Sequence, residues 1–376
     1  MPPVYAIGSN IVSALGMNVA AHWQAITSRR IGIKRYEDTA LSNTPFMASK
    51  IEPVQWQAIQ QQSLSTQPLS PFEQMACFSI KKALDNLEEP IDLQQTAFVL
   101  ATTKGNIELL GKVTNERLLL HHSAQIIACE TGITAKPFVI SQACVSGVVA
   151  LQYGLRLLQS GRYRHAIITG ADRFSRFVLA GFQSFQAISD EPCRPFDAAR
   201  KGISLGEAAA TIILSVNKTA DAAGQLICGA ASNDANHISG PSRTGEELAN
   251  AITRAIAEAN IVPAQIGMVS AHGTATLFND EMEAKAFDIA GLLHCPVHSF
   301  KGYVGHTLGA AGILESIITL EGLRRKMLIP SAGFENLGVP RPINVTRTLQ
   351  HATFDYALKT ASGFGGSNAV VVWKKV

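Results

Sequence analysis

The chain has 376 residues, 47% hydrophobic and only 16% charged, with a net charge of +3 and no run of basic residues. A charged share so far below the usual ~25% implies that a partner subunit covers much of the surface, and the near-balance of charge gives no electrostatic footprint for nucleic acid. Six scattered cysteines (Cys77, Cys129, Cys144, Cys193, Cys228, Cys295) without a C-x-x-C pair exclude a zinc ribbon or a disulfide framework and fit a reducing cytoplasm.

The first cation is Arg29, so the start lacks the charged region of a secretory signal, and no apolar run reaches the roughly 18 residues of a membrane helix. Residues 50–75, rich in Gln, Ser and Pro, read as a surface excursion. Short β-branched runs then follow in chain order: TAFVLATT (96–103), HAIITGAD (165–172), AAATIILSV (208–216), QLICGAAS (225–232), IGMVSAHGT (266–274) and NAVVVWKK (368–375). Nearly continuous apolar strands alternating with Ala/Leu-rich helical patterns predict an α/β protein with mixed sheets covered on both faces. A polar seam at 217–224 divides the chain into halves, 1–216 and 217–376. No short repeat is visible.

Between two of these runs lies SQACVSGVVALQYGLRLLQSG (141–161). Val145, Val148, Leu151, Leu155 and Leu158 recur at three- and four-residue steps and Gly161 supplies a stop, which places Cys144 at or just before a helix N-terminus. Free N–H groups and the helix dipole favour thiolate there, and a pKa lowered by about 2 from the usual 8.5 would make thiolate the major form. A buried structural cysteine is the competing reading on this segment alone. His272 follows an apolar strand in SAHGTATLFNDEMEA (270–284), where α/β folds keep functional groups. Lys301 and His306 flank glycines in SFKGYVGHTLGAAGILESI (299–317). SGFGGSNAVVV (362–372) offers backbone N–H groups at a glycine turn. His294, Cys295 and His298 are a weak metal set, because Pro296 breaks the helical spacing of ligands.

Together these segments, with RPFDAARKGISLGEAA (194–209), make the chain resemble an elongating β-ketoacyl-[acyl carrier protein] synthase nearly end to end. The resemblance implies a thiolase-like α-β-α-β-α fold of two similar halves, the first carrying the nucleophile and the second the histidines. It implies Cys144 as acyl acceptor, His272 and His306 as donors to an enolate oxygen, and Lys301 and Glu283 as supports of that network. Backbone N–H groups of Cys144 and Phe364 would form the oxyanion site, with Phe364 also gating the chamber, and Thr274 and Thr276 would hold the pantetheine arm. No cofactor or metal is implied to stay bound, since phosphopantetheine arrives on an acyl carrier protein. The implied assembly is a cytoplasmic homodimer, or a heterodimer with a homologous chain-length-factor-like subunit. Ala275, Phe278 and Asn279 depart from common family residues, the interval before Cys144 is short, and TTKGNIELL (102–110) replaces a Gly-rich stretch. This compact form is similar to synthases of specialised polyene pathways, including aryl polyenes. A silent chain-length-factor-like subunit and an acyl thioesterase are the alternatives.

Overall fold

The computed structural model describes residues 1–62, 68–113, 115–236 and 240–376. Eleven strands form one hydrogen-bonded ladder: β1 (Val4–Val12), β2 (Thr96–Ala101), β3 (Phe138–Ile140), β4 (His165–Asp172), β5 (Ala208–Ser215), β6 (Gly224–Asn233), β7 (Ile266–Ser270), β8 (Pro296–His298), β9 (Asn344–Val345), β10 (Tyr356–Gly363) and β11 (Ser367–Lys374). Their order is β9-β8-β7-β10-β11-β6-β1-β5-β4-β2-β3. The order repeats. In the first half β3-β2-β4-β5-β1 runs through two parallel pairings and then two antiparallel ones. In the second half β8-β7-β10-β11-β6 does the same, with β9 added at the edge. The halves join where Val4–Ala6 of β1 pair with Gly224–Leu226 of β6.

The principal helices are α1 (Pro71–Asp85), α2 (Ser146–Gln159), α3 (Arg176–Ser184), α4 (Glu246–Glu258), α5 (Leu277–Ile289), α6 (Lys301–Val304) and α7 (Ala311–Arg325). Helix α1 covers β1, β4 and β5 on one outside, α4 covers β6 and β11 on the other, and α2 and α7 lie between. Three apolar clusters fill the layers so formed, and the central one contains the inner faces of α2 and α7. This layering is why β2, β4, β5 and β11 read as unbroken apolar runs: nearly every residue of these strands is buried, on both faces.

Part of the expected excursion at 50–75 is helical instead. Pro53–Gln61 is a helix, and Pro71 begins α1 behind a capping box in which the Ser70 hydroxyl accepts the Glu73 N–H and the Glu73 carboxylate accepts the Ser70 N–H. Glu73 is then held at 2.5 and 2.6 Å by Arg117, which ties α1 to the segment ahead of Cys144. Gln and Ser are tolerated there because only one residue of the Pro53–Gln61 helix, Ile59, is buried. Residues 63–67 of that stretch lie outside the described residues.

The central helices meet backbone to backbone. A Cβ on Gly312 would lie 2.5 Å from Val148 N, and one on Gly147 would lie 2.9 Å from Gly309 O. Only glycine permits that approach. Both helices follow corresponding strands of their halves, β3 and β8, so their contact brings the two preceding loops together. Gly312→Ala is expected to destabilise the protein by about 1–3 kcal/mol through forced separation of the helices; thermal denaturation measures this, and an unchanged midpoint would show that the contact is slack.

Candidate active site

Cys144 sits two residues ahead of α2, in a turn where the Ser146 hydroxyl donates to Ala143 O and accepts the Gln142 N–H. The turn is tight enough to hold Ala143 at φ 44, a left-handed conformation that costs a non-glycine residue about 1 kcal/mol or more. His272 leaves the end of β7. His306 precedes α7, with its N–H bonded to Ser204 O and its carbonyl accepting the Gly206 N–H. The two imidazole rings meet edge to face at 5.2 Å, and the Cys144 sulfur with one nitrogen of each ring falls within a 4.8 Å span. The fold thus unites three of the residues expected to act together.

Hydrogen bonds fix which ring nitrogen carries the proton. The Leu308 N–H donates to His306 Nδ1 at 3.3 Å, and the Lys301 ammonium, which can only donate, lies 3.3 Å from His272 Nδ1. Each Nδ1 is therefore an acceptor, and each Nε2 bears the hydrogen. Burial, reinforced by the Lys301 charge, holds both rings well below their ordinary pKa, so they are neutral donors near pH 7. The same tautomers argue against a metal at Cys144, His272 and His306: an Nε2–H has no lone pair to give, and a metal-bound ring needs an acceptor at its other nitrogen. His294 is exposed, Cys295 Sγ donates to Ile266 O, and His298 is buried on β8, so the other histidine–cysteine set does not converge.

Beneath the imidazoles lies a fully buried charge cluster. Lys301 Nζ donates to Glu315 Oε1 at 2.8 Å and to His272 O at 2.6 Å. Glu283 accepts the N–H groups of His272 (2.7 Å) and Gly273 (2.6 Å), together with Asn279 Nδ2 and Thr360 Oγ1. It therefore fixes the His272 turn rather than touching a ligand. Asp280 accepts the N–H groups of Phe196, Thr274 and Ala275 in the same way, and burial pushes its carboxyl up to about 7. Ala275 needs this support because its φ is 61. Lys359, on β10, pairs with the other oxygen of Glu315. Sequence reading missed Glu315, Asp280 and Lys359; the signal available was a charged residue set inside an apolar strand or helix pattern.

A cavity of about 590 Å³ leads to this point and is lined by Cys144, both histidines, Thr274, Thr276 and Phe364. The threonine hydroxyls are 2.8 Å apart. Phe364 follows β10; its N–H points at the Cys144 sulfur, and its ring packs between Phe182 and Phe185 of the α3 segment at 5.6 and 5.2 Å. A Cβ on Gly363 would come within 3.1 Å of Cys144 N, so glycine there keeps that N–H open. Arg194, Asp197, Arg200 and Glu207 belong to the RPFDAARKGISLGEAA segment. Asp197 accepts three backbone N–H groups and Glu207 two, while Arg200 bonds Gly338 O and also reaches the cavity wall.

The expected lowering of the Cys144 pKa does not hold. Burial pushes this thiol up to about 11, against the pull of Lys301, Lys104 and the Phe364 N–H. Helix-end stabilisation is on the order of 1 kcal/mol and cannot offset removal of a full negative charge from water. Because thiolate is the reactive form, iodoacetamide labelling of Cys144 should rise with pH beyond pH 9. A rate that levels off below pH 8 would show that the helix end and the lysines prevail.

Family models match almost the whole chain: β-ketoacyl synthase, N-terminal domain, over residues 1–220, and β-ketoacyl synthase, C-terminal domain, over residues 225–335. The chain is 33% identical to 3-oxoacyl-[acyl-carrier-protein] synthase 2 of Vibrio cholerae over 65% of its own length and 64% of the length of that synthase. A β-ketoacyl synthase from Burkholderia phymatum superposes over both whole chains with a TM-score of 0.88 at 25% identity. A ketosynthase (ApeO) solved in complex with its chain length factor (ApeC) from Xenorhabdus doucetiae superposes with a TM-score of 0.86 at 23% identity, covering 100% of this chain and 98% of that one. These matches and the strand order of the two halves place the chain in the β-ketoacyl synthase family, with its thiolase-like fold.

Proposed function

We propose that the chain is a β-ketoacyl-[acyl carrier protein] synthase, joining an acyl group held on Cys144 to a malonyl thioester with loss of carbon dioxide. The observation that carries this reading is the meeting of one thiol and two Nε2–H donors at the end of a single cavity. The Cys144 sulfur attacks an acyl thioester, its proton passes to the departing pantetheine sulfur, and the acyl group is stored. The backbone N–H groups of Cys144 and Phe364 receive the carbonyl oxyanion. Pantetheine lies along Thr274 and Thr276.

In the second half-reaction the bond to the malonyl carboxylate breaks, carbon dioxide leaves, and the electron pair moves onto the thioester oxygen. His272 and His306 donate to that oxygen; a preorganised donor of this kind is worth on the order of 3 kcal/mol at the transition state. The carbanion attacks the acyl carbonyl, and the Cys144 thiolate leaves and takes a proton from solvent. The similarity to an acyl-carrier-protein synthase and to a ketosynthase solved with its chain length factor supports an acyl carrier protein as donor and a homologous subunit as partner. The low charged share fits a covered face, whether the second subunit is a copy or a chain-length-factor-like homologue. No helix among the described residues is long and apolar enough to cross a membrane.

A silent subunit would not need Cys144 together with both donors, and a thioesterase would release free acid without using malonyl groups. Cys144→Ala is expected to abolish chain extension, while Cys144→Gln, whose amide mimics the acylated cysteine, keeps decarboxylating malonyl-carrier. Extension by Cys144→Ala, or free acid as sole product of the wild type, would overturn the assignment. His306→Ala should lose decarboxylation at least tenfold more than acyl loading, both read by intact mass. Equal losses would assign His306 a structural role.

A further inference from the structure

Lys359 belongs to none of the expected site residues, yet it is completely buried beside them. Its ammonium donates to Ser270 O, Ala271 O and Thr360 O and pairs with Glu315. An ammonium has three hydrogens and no acceptor, so this ring of oxygens calls for the charged form. Ser270 and Ala271 are the two residues immediately before His272, so Lys359 ties down the strand end from which that imidazole springs. Glu315 bridges Lys359 and Lys301, and Lys301 contacts both the carbonyl and Nδ1 of His272.

The groups facing this space are Lys301 after β8, Lys359 on β10, Glu315 on α7, Glu283 on α5, the two active-site imidazoles, and His298 on β8. His298 lies opposite Ser270, which in turn lies opposite Lys359, and burial followed by the Lys359 charge lowers its ring to about 3, so it is neutral. Asp280 lies 3.9 Å from a different cation, Arg200, which it shares with Glu281 at 3.8 Å. Two cations then face two carboxylates. Deleting Lys359 leaves an unbalanced carboxylate below the point where a malonyl carboxylate and then an enolate must sit. Like charge in a buried site is poorly screened.

We propose that Lys359 is a positioning residue of the condensation reaction: it anchors the strand end that carries His272 and supplies the second cation that balances the carboxylates beneath the imidazoles. Burial lowers its pKa and Glu315 opposes that fall, consistent with a cation kept only by its partners. The inference rests on the ketosynthase reading, and the two fail differently.

The test uses purified full-length protein with malonyl-carrier and acyl-carrier. Lys359→Met should lower kcat for malonyl decarboxylation at least tenfold while acyl loading of Cys144 stays within threefold of wild type. Adding Glu315→Gln leaves one cation, Lys301, facing one carboxylate, Glu283, and the new amide oxygen can still accept from Lys301, so Lys359→Met/Glu315→Gln should decarboxylate at least threefold faster than Lys359→Met. Packing damage from two buried substitutions would accumulate instead. A fall of less than tenfold, equal loss of loading, or a double variant no faster than the single overturns the proposal. Should Lys359→Met not fold, the double variant decides: a rate above one-tenth of wild type supports the proposal and a lower one overturns it. Wild-type protein unable to decarboxylate malonyl-carrier would sink the ketosynthase reading itself.

Discussion

Everything at the site depends on the closeness of α2 and α7. Each half of the chain builds a strand, a loop and a central helix, and each loop alone is incomplete: one carries a thiol, the other Lys301 and His306. Because Gly147 and Gly312 let the helices touch at their backbones, both loops open into one cavity. A side chain at that crossing would push the sulfur and the imidazole apart. Loss of even 1 Å of alignment between reacting groups is costly in rate, so the glycines matter to chemistry as well as to packing.

A second constraint follows from burial. Two neutral rings can act as fixed donors only if their other nitrogens are held as acceptors, and the Leu308 N–H and Lys301 ammonium do this. Lys301 in turn cannot be buried alone, which requires Glu315. Glu283, buried to hold the His272 and Gly273 N–H groups, requires its own compensation. The site is therefore a chain of obligations in which each charged group is present because another would otherwise be unpaired. Removing one member shifts cost onto its neighbour, which is why charge and geometry cannot be separated here without paired substitutions.

Much of this is legible in the amino-acid sequence. The apolar runs fall on β2, β4, β5, β6, β7 and β11, and the three- and four-residue steps after Cys144 fall on α2. These signals are local, set by side chains repeating on one face. Cys144, His272 and His306 were readable because strand-end loops rich in small residues stand out from such patterns. Other features depend on distant segments. The duplicated strand order is a property of pairing and leaves no repeat in the side chains. The Cys144 pKa was misjudged because the helix end is visible in sequence, whereas the opposing burial is created by residues from 272 to 364. Lys359 and Glu315 look like interruptions in apolar segments until the fold sets them against each other, and the helix at Pro53–Gln61 was missed because it buries little.

The raised thiol pKa also has a logic within the cycle. A resting thiolate at the end of an open cavity would be available to any electrophile that entered. A buried thiol near 11 is not, so its reactivity must be created by what arrives. In the proposed reaction an incoming thioester would supply both things that are missing: a carbonyl oxygen for the Cys144 and Phe364 N–H groups, and a departing sulfur that accepts the Cys144 proton within the same cavity. Once the acyl group is in place no ionisable thiol remains, and the neutral imidazoles need not change protonation to serve the enolate. On that proposal, burial that opposes ionisation restricts Cys144 to substrates able to remove its proton as they are bound.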